Sequence, residues 1–595
     1  MQLTARTLLG LLTLLTICLV NPAARADAPA SRALRRSDVV FMYDNPDLYE
    51  TYGCTVMGWS GWGNPERVQL AHERGVRLFS TSVGFLTEGR RMIDFSEDFL
   101  DAACRDLRGE PFPVPWLWDH EHKGQKFWWW CTNSPLYREY LDMRLKEAMA
   151  SGADGLHIDD YRGTSGSVTW RAGGFCRHCM AAFREYLAAE VAPNQLAELG
   201  IDDLANFDYR EFLLEQGLDP ADYSARRTSL PLAAEFYDFQ VQSNTAFVAQ
   251  YRARAEELAG RAIHLSVNSG LSNPHALAIA PHLSYFCCEV GHAAASRQPP
   301  TAPVTIYKLG DGLDRPVAAT ASGHDWAFVK EHQLSGLVRT WIAMSYAFGH
   351  QLMAPHRQWC YTQERGTHWY SGPTEEYAWL YQFVRQNQDR LDGYQAIAPI
   401  GLLYDNAARR AGAGSIDPIA QQLAARNLPF TIVVAGDNWL DVRLDPQQLE
   451  EFQALIVTEP LKLDAEQRAA LQPLKEQDRL VVGPDAERLE DLVGRPVQVE
   501  GAEQVWVVPR ARRDDSAPPV IHLLNRAYDA ETDQMLPQSE FILRLDPALF
   551  VSTPTRAVLH APQAEPLELE VRTNGGHLEL TVPSLDLWAI LAFSR

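Results

Sequence analysis

The first 395 residues alternate between short apolar segments that end in polar or small residues and longer amphipathic stretches. Short apolar segments of this kind are typical of strands, and the amphipathic stretches are typical of helices. Eight strands are predicted, at residues 39–43, 76–82, 114–118, 155–159, 262–268, 282–289, 316–321 and 343–353. Eight strand-then-helix units predict an α/β fold, a (β/α)₈ TIM barrel over residues 27–395, with a doubly wound open sheet as the alternative. A mostly helical, acidic stretch at about 162–260 is predicted to be an insertion after strand four.

The pattern changes twice after residue 395. Shorter strand–helix alternation over residues 396–497 predicts a flavodoxin-like α/β domain of the glutamine-amidotransferase type. This segment contains no cysteine, so a thiol nucleophile is excluded and a structural or oligomerising role is favoured. Residues 498–595 carry short apolar runs separated by turns such as Asn574-Gly575-Gly576, which predicts a small antiparallel β-sandwich.

The N-terminus has the organisation of an export signal. Arg6 precedes an apolar run at residues 8–20, and Ala24-Arg25-Ala26 is a small-x-small cleavage sequence. We therefore expect a signal peptide at residues 1–26 and a secreted or periplasmic protein. No later apolar stretch is long enough to cross a bilayer, so no membrane association is expected after cleavage.

Composition narrows the class of ligand. The formal net charge is -22, which disfavours nucleic acid because its phosphates require a basic surface. The chain contains 16 Trp and 21 Tyr. Aromatic rings stack on the C–H faces of sugars, although most aromatic side chains serve the core. A carbohydrate is therefore the expected partner.

Acids, histidines and tryptophans are concentrated at the predicted strand ends, where barrel enzymes hold their catalytic groups. Strand four carries the clearest signal, because alternation places His157 and Asp159 on one side, toward the barrel mouth. The competing explanation is that Asp159 or Asp160 caps the next loop. Candidate substrate-binding residues are Asp119, His120, His157, Asp160, Tyr161, Asn268, His292, His324, Asp325, Trp326 and His356.

Residues 154–159, Asp-Gly-Leu-His-Ile-Asp, resemble the strand-four motif of retaining α-glycosidases and family-66 dextranases. The resemblance implies that Asp159 is a nucleophile and that an acid on a later strand is the general acid/base. Glu289 is assigned that role from its position at the end of strand six. Glycoside cleavage needs such a pair of carboxyl groups, and their separation decides between retention and inversion.

A second resemblance covers more of the chain. Residues 131–138, Cys-Thr-Asn-Ser-Pro-Leu-Tyr-Arg, and the Cys-rich segment 175–179 resemble family-42 β-galactosidases, as does the order of the three domains. The resemblance implies a zinc loop at Cys131, Cys176 and Cys179 and makes a homo-oligomer plausible. A structural zinc, a disulfide and buried thiols all remain open, and no cofactor is required for catalysis. The family's strand-four Asp-Asn-Glu is Asp159-Asp160-Tyr161 here, so its catalytic Glu is absent.

The sequence thus predicts an exported glycoside hydrolase that cleaves an oligo- or polysaccharide by a retaining, two-carboxylate mechanism. Two alternatives stay open. One is an inverting hydrolase that uses another carboxylate pair, and the other is a non-catalytic carbohydrate-binding or scaffold protein.

Overall fold

The computed structural model describes residues 33–60, 64–271, 273–514 and 516–594. The predicted signal peptide at residues 1–26 lies outside the described residues. Within them, no helix combines the length and the apolar character that crossing a membrane requires.

Eight short parallel strands organise the N-terminal two thirds of the described chain. They are β1 Val40–Phe41, β2 Val56–Ser60, β3 Leu78–Gly84, β4 Gly155–Asp159, β5 His264–Val267, β6 Phe286–Val290, β7 Val317–Ala321 and β8 Gln351–Leu352. Strands β1 to β5 form one sheet in sequence order, and β8, β7 and β6 form another.

Backbone hydrogen bonds join the two parallel sheets at both edges. The N–H of Ala354, just after β8, lies 2.8 Å from the carbonyl of Val40 in β1. The N–H of Ser284, just before β6, lies 2.8 Å from the carbonyl of Leu265 in β5. The carboxyl ends of all eight strands therefore face the same side of the molecule.

Two strand assignments made from the sequence are wrong. Residues 114–118 contain the 3₁₀ helix Pro115–Leu117 and no strand, because Pro113 and Pro115 have no N–H to give to a ladder. Sequence analysis overlooked strand β2, because Gly58 interrupts its apolar pattern. A Cβ on Gly58 would lie 2.7 Å from Cγ1 of Val40, so the glycine permits close packing of β2 against β1. In the predicted strand at 343–353, residues 343–347 belong to the helix Ser335–Ala347 and only Gln351–Leu352 is a strand.

Helices cover the parallel strands. The longer ones outside the insertion are Pro65–Glu73, Gly89–Phe95, Pro135–Ala150, Pro303–Gly312, Gly323–His332, Ser335–Ala347 and Thr374–Gln386. The predicted insertion holds Gly163–Arg171, Arg177–Glu190, Pro193–Glu198, Tyr209–Glu215, Tyr223–Arg226 and Ala233–Ala259. The insertion packs around a second apolar cluster, in which Phe175, Phe183, Phe236 and Phe239 are buried together with residues from the segment 86–131.

Two further units follow in the chain. A four-stranded parallel sheet has the order Phe430–Ala435, Ile400–Asp405, Ala454–Val457 and Leu480–Val482. Its helices are Asn406–Arg410, Asp417–Ala425, Pro446–Glu450, Ala465–Glu476 and Ala486–Val493.

The last unit is built from two antiparallel sheets. One has the order Tyr394–Ala396, Val505–Arg512, Val520–Asn525, Trp588–Ser594, Arg556–His560 and Leu567–Glu570. The other has the order Val497–Glu500, Gln538–Leu545, His577–Leu585 and Arg572–Asn574. The strand Tyr394–Ala396 thus leaves the first unit to pair with the last one, and it ties the two together.

Candidate active site

A cleft of about 920 Å³ opens at the carboxyl ends of the parallel strands. Several strand ends contribute to it because parallel strands terminate at one edge. The strand-end residues that line it are Tyr43, Trp59, Asp159, Asp160, Asn268, Glu289, Ser322, Gly323 and His324. Two carboxyl groups from strand ends, Asp159 on β4 and Glu289 on β6, therefore share one cavity.

Asp159 is held through one of its two carboxyl oxygens. Its Oδ1 accepts hydrogen bonds from the Asp160 N–H at 3.0 Å and from Nδ2 of Asn268 at 3.2 Å. Within the described residues, Oδ2 of Asp159 accepts no hydrogen bond. One oxygen is thus anchored, and the other is available to a bound molecule.

Asn268 connects the two acids. Its Nδ2 donates to Asp159, while its Oδ1 lies 3.4 Å from the backbone N–H of Glu289 and accepts from it. Its own N–H donates to the carbonyl of Ile158 in β4 at 3.1 Å. Because a carboxylate only accepts and an N–H only donates, these contacts fix the orientation of the amide. Asn268 therefore sets the position of β4 relative to β6 at the cleft.

The two acids differ in protonation. Burial raises the pKa of Glu289 to about 8, with the charge of Asp159 and then that of Asp325 adding to the effect. Burial also raises the pKa of Asp159, but hydrogen bonds from Asn268 and the Asp160 N–H oppose it and leave the pKa at about 6. Near neutral pH, Asp159 is mostly ionised and Glu289 is mostly protonated. The cleft thus holds an ionised carboxylate and a protonated carboxyl group at neutral pH.

Asp160 is a third carboxyl group in the cleft. Burial raises its pKa well above the ordinary range, and the charges of Asp159 and Glu289 raise it further. Its φ is +51°, in the left-handed region that Asp and Asn tolerate better than most residues. Its backbone N–H donates to Oδ1 of Asp159.

The structure brings some of the predicted substrate-binding residues into the cleft. His120, Asp160, Asn268 and His324 line it together with Asp159 and Glu289. Asp119 lies just behind this lining. Its Oδ1 is 2.9 Å from Nδ1 of His120 and its Oδ2 accepts from the N–H of Thr367. Asp119 therefore supports the rim.

His157 and Tyr161 lie beneath the cleft surface. The His157 ring packs on Trp59, with centroids 4.4 Å apart, and its Nδ1 lies 3.0 Å from Oγ of Ser266. Burial lowers the pKa of His157 to about 3, so the ring is neutral. Tyr161 is buried in the main apolar core. Neither side chain lines the cleft, because each points into the packed layer below it.

Asp325, His292 and Trp326 hold two strand ends together and do not line the cleft. Asp325 accepts from the N–H of His292 at 2.9 Å, the N–H of Ala294 at 2.7 Å and Oγ of Ser322 at 2.7 Å. Trp326 is buried and donates to Thr320 through Nε1. These contacts attach the loop after β6 to the helix after β7.

His356 is also outside the cleft lining. Its ring stacks on Phe41 with centroids 4.2 Å apart, and its Nε2 lies 2.9 Å from the carbonyl oxygen of Tyr43. Its Nδ1 lies 3.2 Å from the carbonyl oxygen of Ala354, and burial lowers the pKa of the ring to about 4, so the neutral ring donates to one of these two carbonyls. His356 therefore contacts the backbone at the end of β1.

Aromatic side chains form much of the cleft wall. Trp118 and Trp170 are 49% and 53% exposed, which leaves their faces open to solvent. The full aromatic lining is Tyr43, Trp59, Trp116, Trp118, Phe127, Trp129, Trp170, Trp359, Tyr361 and Trp369. Sequence analysis did not identify Tyr43, Trp59 and Trp170 as site residues. The local sequence around an aromatic residue does not tell whether its ring lines a cleft or packs in the core.

A cluster of buried thiols lies behind this wall. Sγ of Cys131 is 3.3 Å from Sγ of Cys176 and 3.5 Å from Sγ of Cys179. The cysteines of the described chain are free thiols, so these separations are not disulfide bonds. Cys104, which sequence analysis missed, hydrogen-bonds to Cys131 as a fourth thiol.

Three of these thiols fit a structural zinc ion, because the sulfur atoms of Cys131, Cys176 and Cys179 all lie within 4.8 Å of one another. Zinc–sulfur bonds of about 2.3 Å in a tetrahedron place sulfur atoms roughly 3.8 Å apart, close to the 3.3 and 3.5 Å that separate Cys131 from Cys176 and Cys179. A Cys₄ donor set is also a common structural zinc site. Cys131, Cys176 and Cys179 would hold the ion, with Cys104 beside Cys131 as the candidate fourth ligand, and the ion would fix the segment before helix Pro135–Ala150 to the insertion.

Comparison with known proteins places the chain near enzymes that act on sugars. No protein-family profile matches it. It is 23% identical to the alpha-agarases of Thalassotalea agarivorans and Alteromonas agarilytica, over 96% of its own length and 41% and 42% of theirs. The chain thus spans about four tenths of the length of the curated relatives it matches.

Two solved structures share the fold over nearly the whole chain. Alpha-L-fucosidase isoenzyme 2 from Paenibacillus thiaminolyticus has a TM-score of 0.56 at 11% identity, covering 94% of this chain and 100% of that one. The beta-galactosidase from Rahnella sp. R3 has a TM-score of 0.52 at 13% identity, covering 93% and 98%. At such low identity the likeness concerns the fold.

The raised pKa of Asp160 predicts a stability difference between two variants. In the folded state this carboxyl stays neutral, so the wild-type protein loses stability as pH rises above the ordinary Asp pKa and the unfolded chain ionises. Asp160→Asn removes this pH-dependent loss of stability, and asparagine tolerates the left-handed backbone. Asp160→Ala also removes the loss, but alanine in the left-handed conformation costs roughly 1–2 kcal/mol of stability. We expect Asp160→Asn to be at least as stable as the wild type at pH 7 and more stable than Asp160→Ala. Urea unfolding followed by Trp fluorescence measures this, and the reverse order would contradict it.

Proposed function

We propose that this chain is an exported glycoside hydrolase that cleaves a polysaccharide of the agar type. The observation that carries the proposal is the pair of acids in one cleft, Asp159 and Glu289, with unlike protonation at neutral pH. The two alpha-agarase relatives and the two glycosidases of similar fold support a carbohydrate substrate. We propose agar as the polysaccharide because the sequence relatives are alpha-agarases.

The scaffold proposed for this activity is a (β/α)₈ barrel. Its support is the set of eight parallel strands, together with the hydrogen bonds that join β8 to β1 and the start of β6 to β5. A flavodoxin-like domain and a β-sandwich would follow as accessory units. In such a barrel the cleft lies at the catalytic face.

The mechanism follows from the state of each acid. Glu289 begins protonated and gives its proton to the glycosidic oxygen as the bond to the anomeric carbon breaks. The free Oδ2 of Asp159 attacks that carbon and forms a glycosyl-enzyme ester. Glu289, now ionised, takes a proton from water, and the hydroxide attacks the same carbon and releases Asp159. Two displacements at one carbon give overall retention.

Asp160 does not suit the general base of an inverting mechanism. A base must be ionised near the working pH, and the pKa of Asp160 is held well above its ordinary range by burial and by the charges of Asp159 and Glu289. As a neutral acid it can donate a hydrogen bond to a sugar hydroxyl. We therefore assign it to substrate binding.

The aromatic wall suits a polysaccharide. Trp118 and Trp170 are exposed on one side of the cleft, and Trp369 is 36% exposed among the lining residues contributed by the hairpin at 358–370. Each indole can stack on a sugar ring, and contacts on separate cleft elements extend the bound segment. The cleft would thus hold more than the sugar at the reacting centre.

The pair of acids predicts a bell-shaped dependence of kcat/KM on pH. Asp159 must be ionised, which holds above about pH 6, and Glu289 must be protonated, which holds below about pH 8. Glu289→Gln removes the proton donor, so agar hydrolysis is expected to fall by roughly 10²- to 10⁴-fold and the alkaline limb to disappear. Asp159→Asn removes the nucleophile and is expected to reduce hydrolysis to background.

The matched control is Glu139→Gln, which changes an exposed acid on the helix Pro135–Ala150. It should leave the bell-shaped dependence of kcat/KM on pH unchanged. Both active-site variants should melt no lower than the wild type, because each amide replaces a buried carboxyl that is costly to ionise. Full activity in both Asp159→Asn and Glu289→Gln would contradict the proposal. Sugar binding without hydrolysis by the wild type would favour a binding protein.

We also propose a structural zinc ion at the four thiols, with no role in the reaction. Purified protein is expected to contain one zinc per chain by mass spectrometry of metals. Cys104→Ser is expected to lower both the zinc content and the melting temperature, since it removes one of four ligands. Cys360→Ser, which changes a buried thiol outside the cluster, is the control for zinc content. Full zinc content in Cys104→Ser would contradict the assignment of the fourth ligand.

A further inference from the structure

Tyr43 enters the cleft from the end of β1 and shares the cavity with the two acids. It follows β1 by two residues and lines the same cavity as Asp159, Asn268 and Glu289. Tyr43 thus reaches the cavity from a strand that carries neither acid, and the charges of both acids act on its phenol.

The ring of Tyr43 is held in place by its neighbours. Trp369 packs against it edge to face with centroids 5.1 Å apart, and the guanidinium carbon of Arg357 is 5.5 Å from its centroid. The backbone is in contact with the His356 ring, whose Nε2 lies 2.9 Å from the Tyr43 carbonyl oxygen. These contacts restrain the backbone and the ring, and none of them uses the phenolic hydroxyl.

The hydroxyl of Tyr43 makes no hydrogen bond within the described part of the chain. Burial raises the pKa of this phenol, and the charges of Asp159 and Glu289 raise it further, while Arg357 acts in the opposite direction. The group is therefore a neutral donor throughout the working range. A donor without a partner in a mostly buried position gains a hydrogen bond when a ligand arrives.

We propose that Tyr43 is a third catalytic residue, whose hydroxyl donates a hydrogen bond to an oxygen of the sugar held between Asp159 and Glu289. The inference rests on the proposed function, because it requires a glycoside at those two acids. The hydroxyl adds a donor at the reacting sugar without adding a charge. Preorganised donors of this kind act most strongly on the transition state, since they are already oriented when charge redistributes.

The test is Tyr43→Phe, which removes one oxygen and leaves the ring packing intact. We expect kcat on agar oligosaccharides to fall by roughly 10- to 100-fold with KM within about threefold of the wild type, because the lost bond acts mainly in the transition state. Both limbs of the pH profile should persist, since Asp159 and Glu289 are untouched. Binding is measured separately by Trp fluorescence in the Glu289→Gln background, where adding Tyr43→Phe should change affinity by less than about threefold.

Tyr186→Phe is the control, because its hydroxyl belongs to the insertion and lies outside the cleft lining. A fall in kcat of less than tenfold in Tyr43→Phe would overturn the assignment, as would a change confined to KM. A wild-type protein that hydrolyses no agar oligosaccharide would overturn the proposed function and this inference with it. Wild-type hydrolysis with an unaffected Tyr43→Phe variant would overturn only the inference.

Discussion

The burial of two carboxyl groups in one cleft is the constraint on which the rest of the candidate site depends. Ionising both acids in a poorly hydrated cavity costs free energy, because like charges repel each other there. One of the two acids therefore keeps its proton. Asp159 is the one that ionises, because Nδ2 of Asn268 and the Asp160 N–H both donate to it, whereas burial and then the charges of Asp159 and Asp325 keep the proton on Glu289. The difference in pKa between the two acids thus comes from the donors around Asp159 and from the charges that face Glu289.

The layer beneath the cleft holds this arrangement in place. His157 supports Trp59 from below, Asp325 joins the loop after β6 to the helix after β7, and His356 contacts the carbonyl of Tyr43. These polar side chains stand at strand ends without facing the cleft. Their hydrogen bonds satisfy loop N–H and C=O groups that burial would otherwise leave without partners. The polar strand ends therefore include both residues that face a ligand and residues that position them.

Sequence analysis placed both acids at strand ends, because residue 159 closes the predicted strand 155–159 and residue 289 closes the predicted strand 282–289, and the structure brings both side chains into one cleft. Their roles as nucleophile and acid stay a proposal. Sequence analysis failed where the residue type does not tell whether a side chain points into the cleft or into the core. Tyr161 and Trp326 have the residue types of a sugar site but point into the core, whereas Trp170 and Tyr43 face the cleft. Strand β2 was missed since Gly58 weakens its apolar pattern, and the thiol of Cys104 joins its cluster only through the chain's long-range folding.

The most direct test of the central claim, that Asp159 and Glu289 act as a nucleophile and an acid on one sugar, is the stereochemistry of the first product. Proton NMR during hydrolysis of an agar oligosaccharide reports the anomer formed before mutarotation. The account predicts that the configuration of the cleaved bond is retained, because two displacements occur at the anomeric carbon. Inverted product would contradict it, since water would then attack directly and Asp159 would form no bond to the sugar.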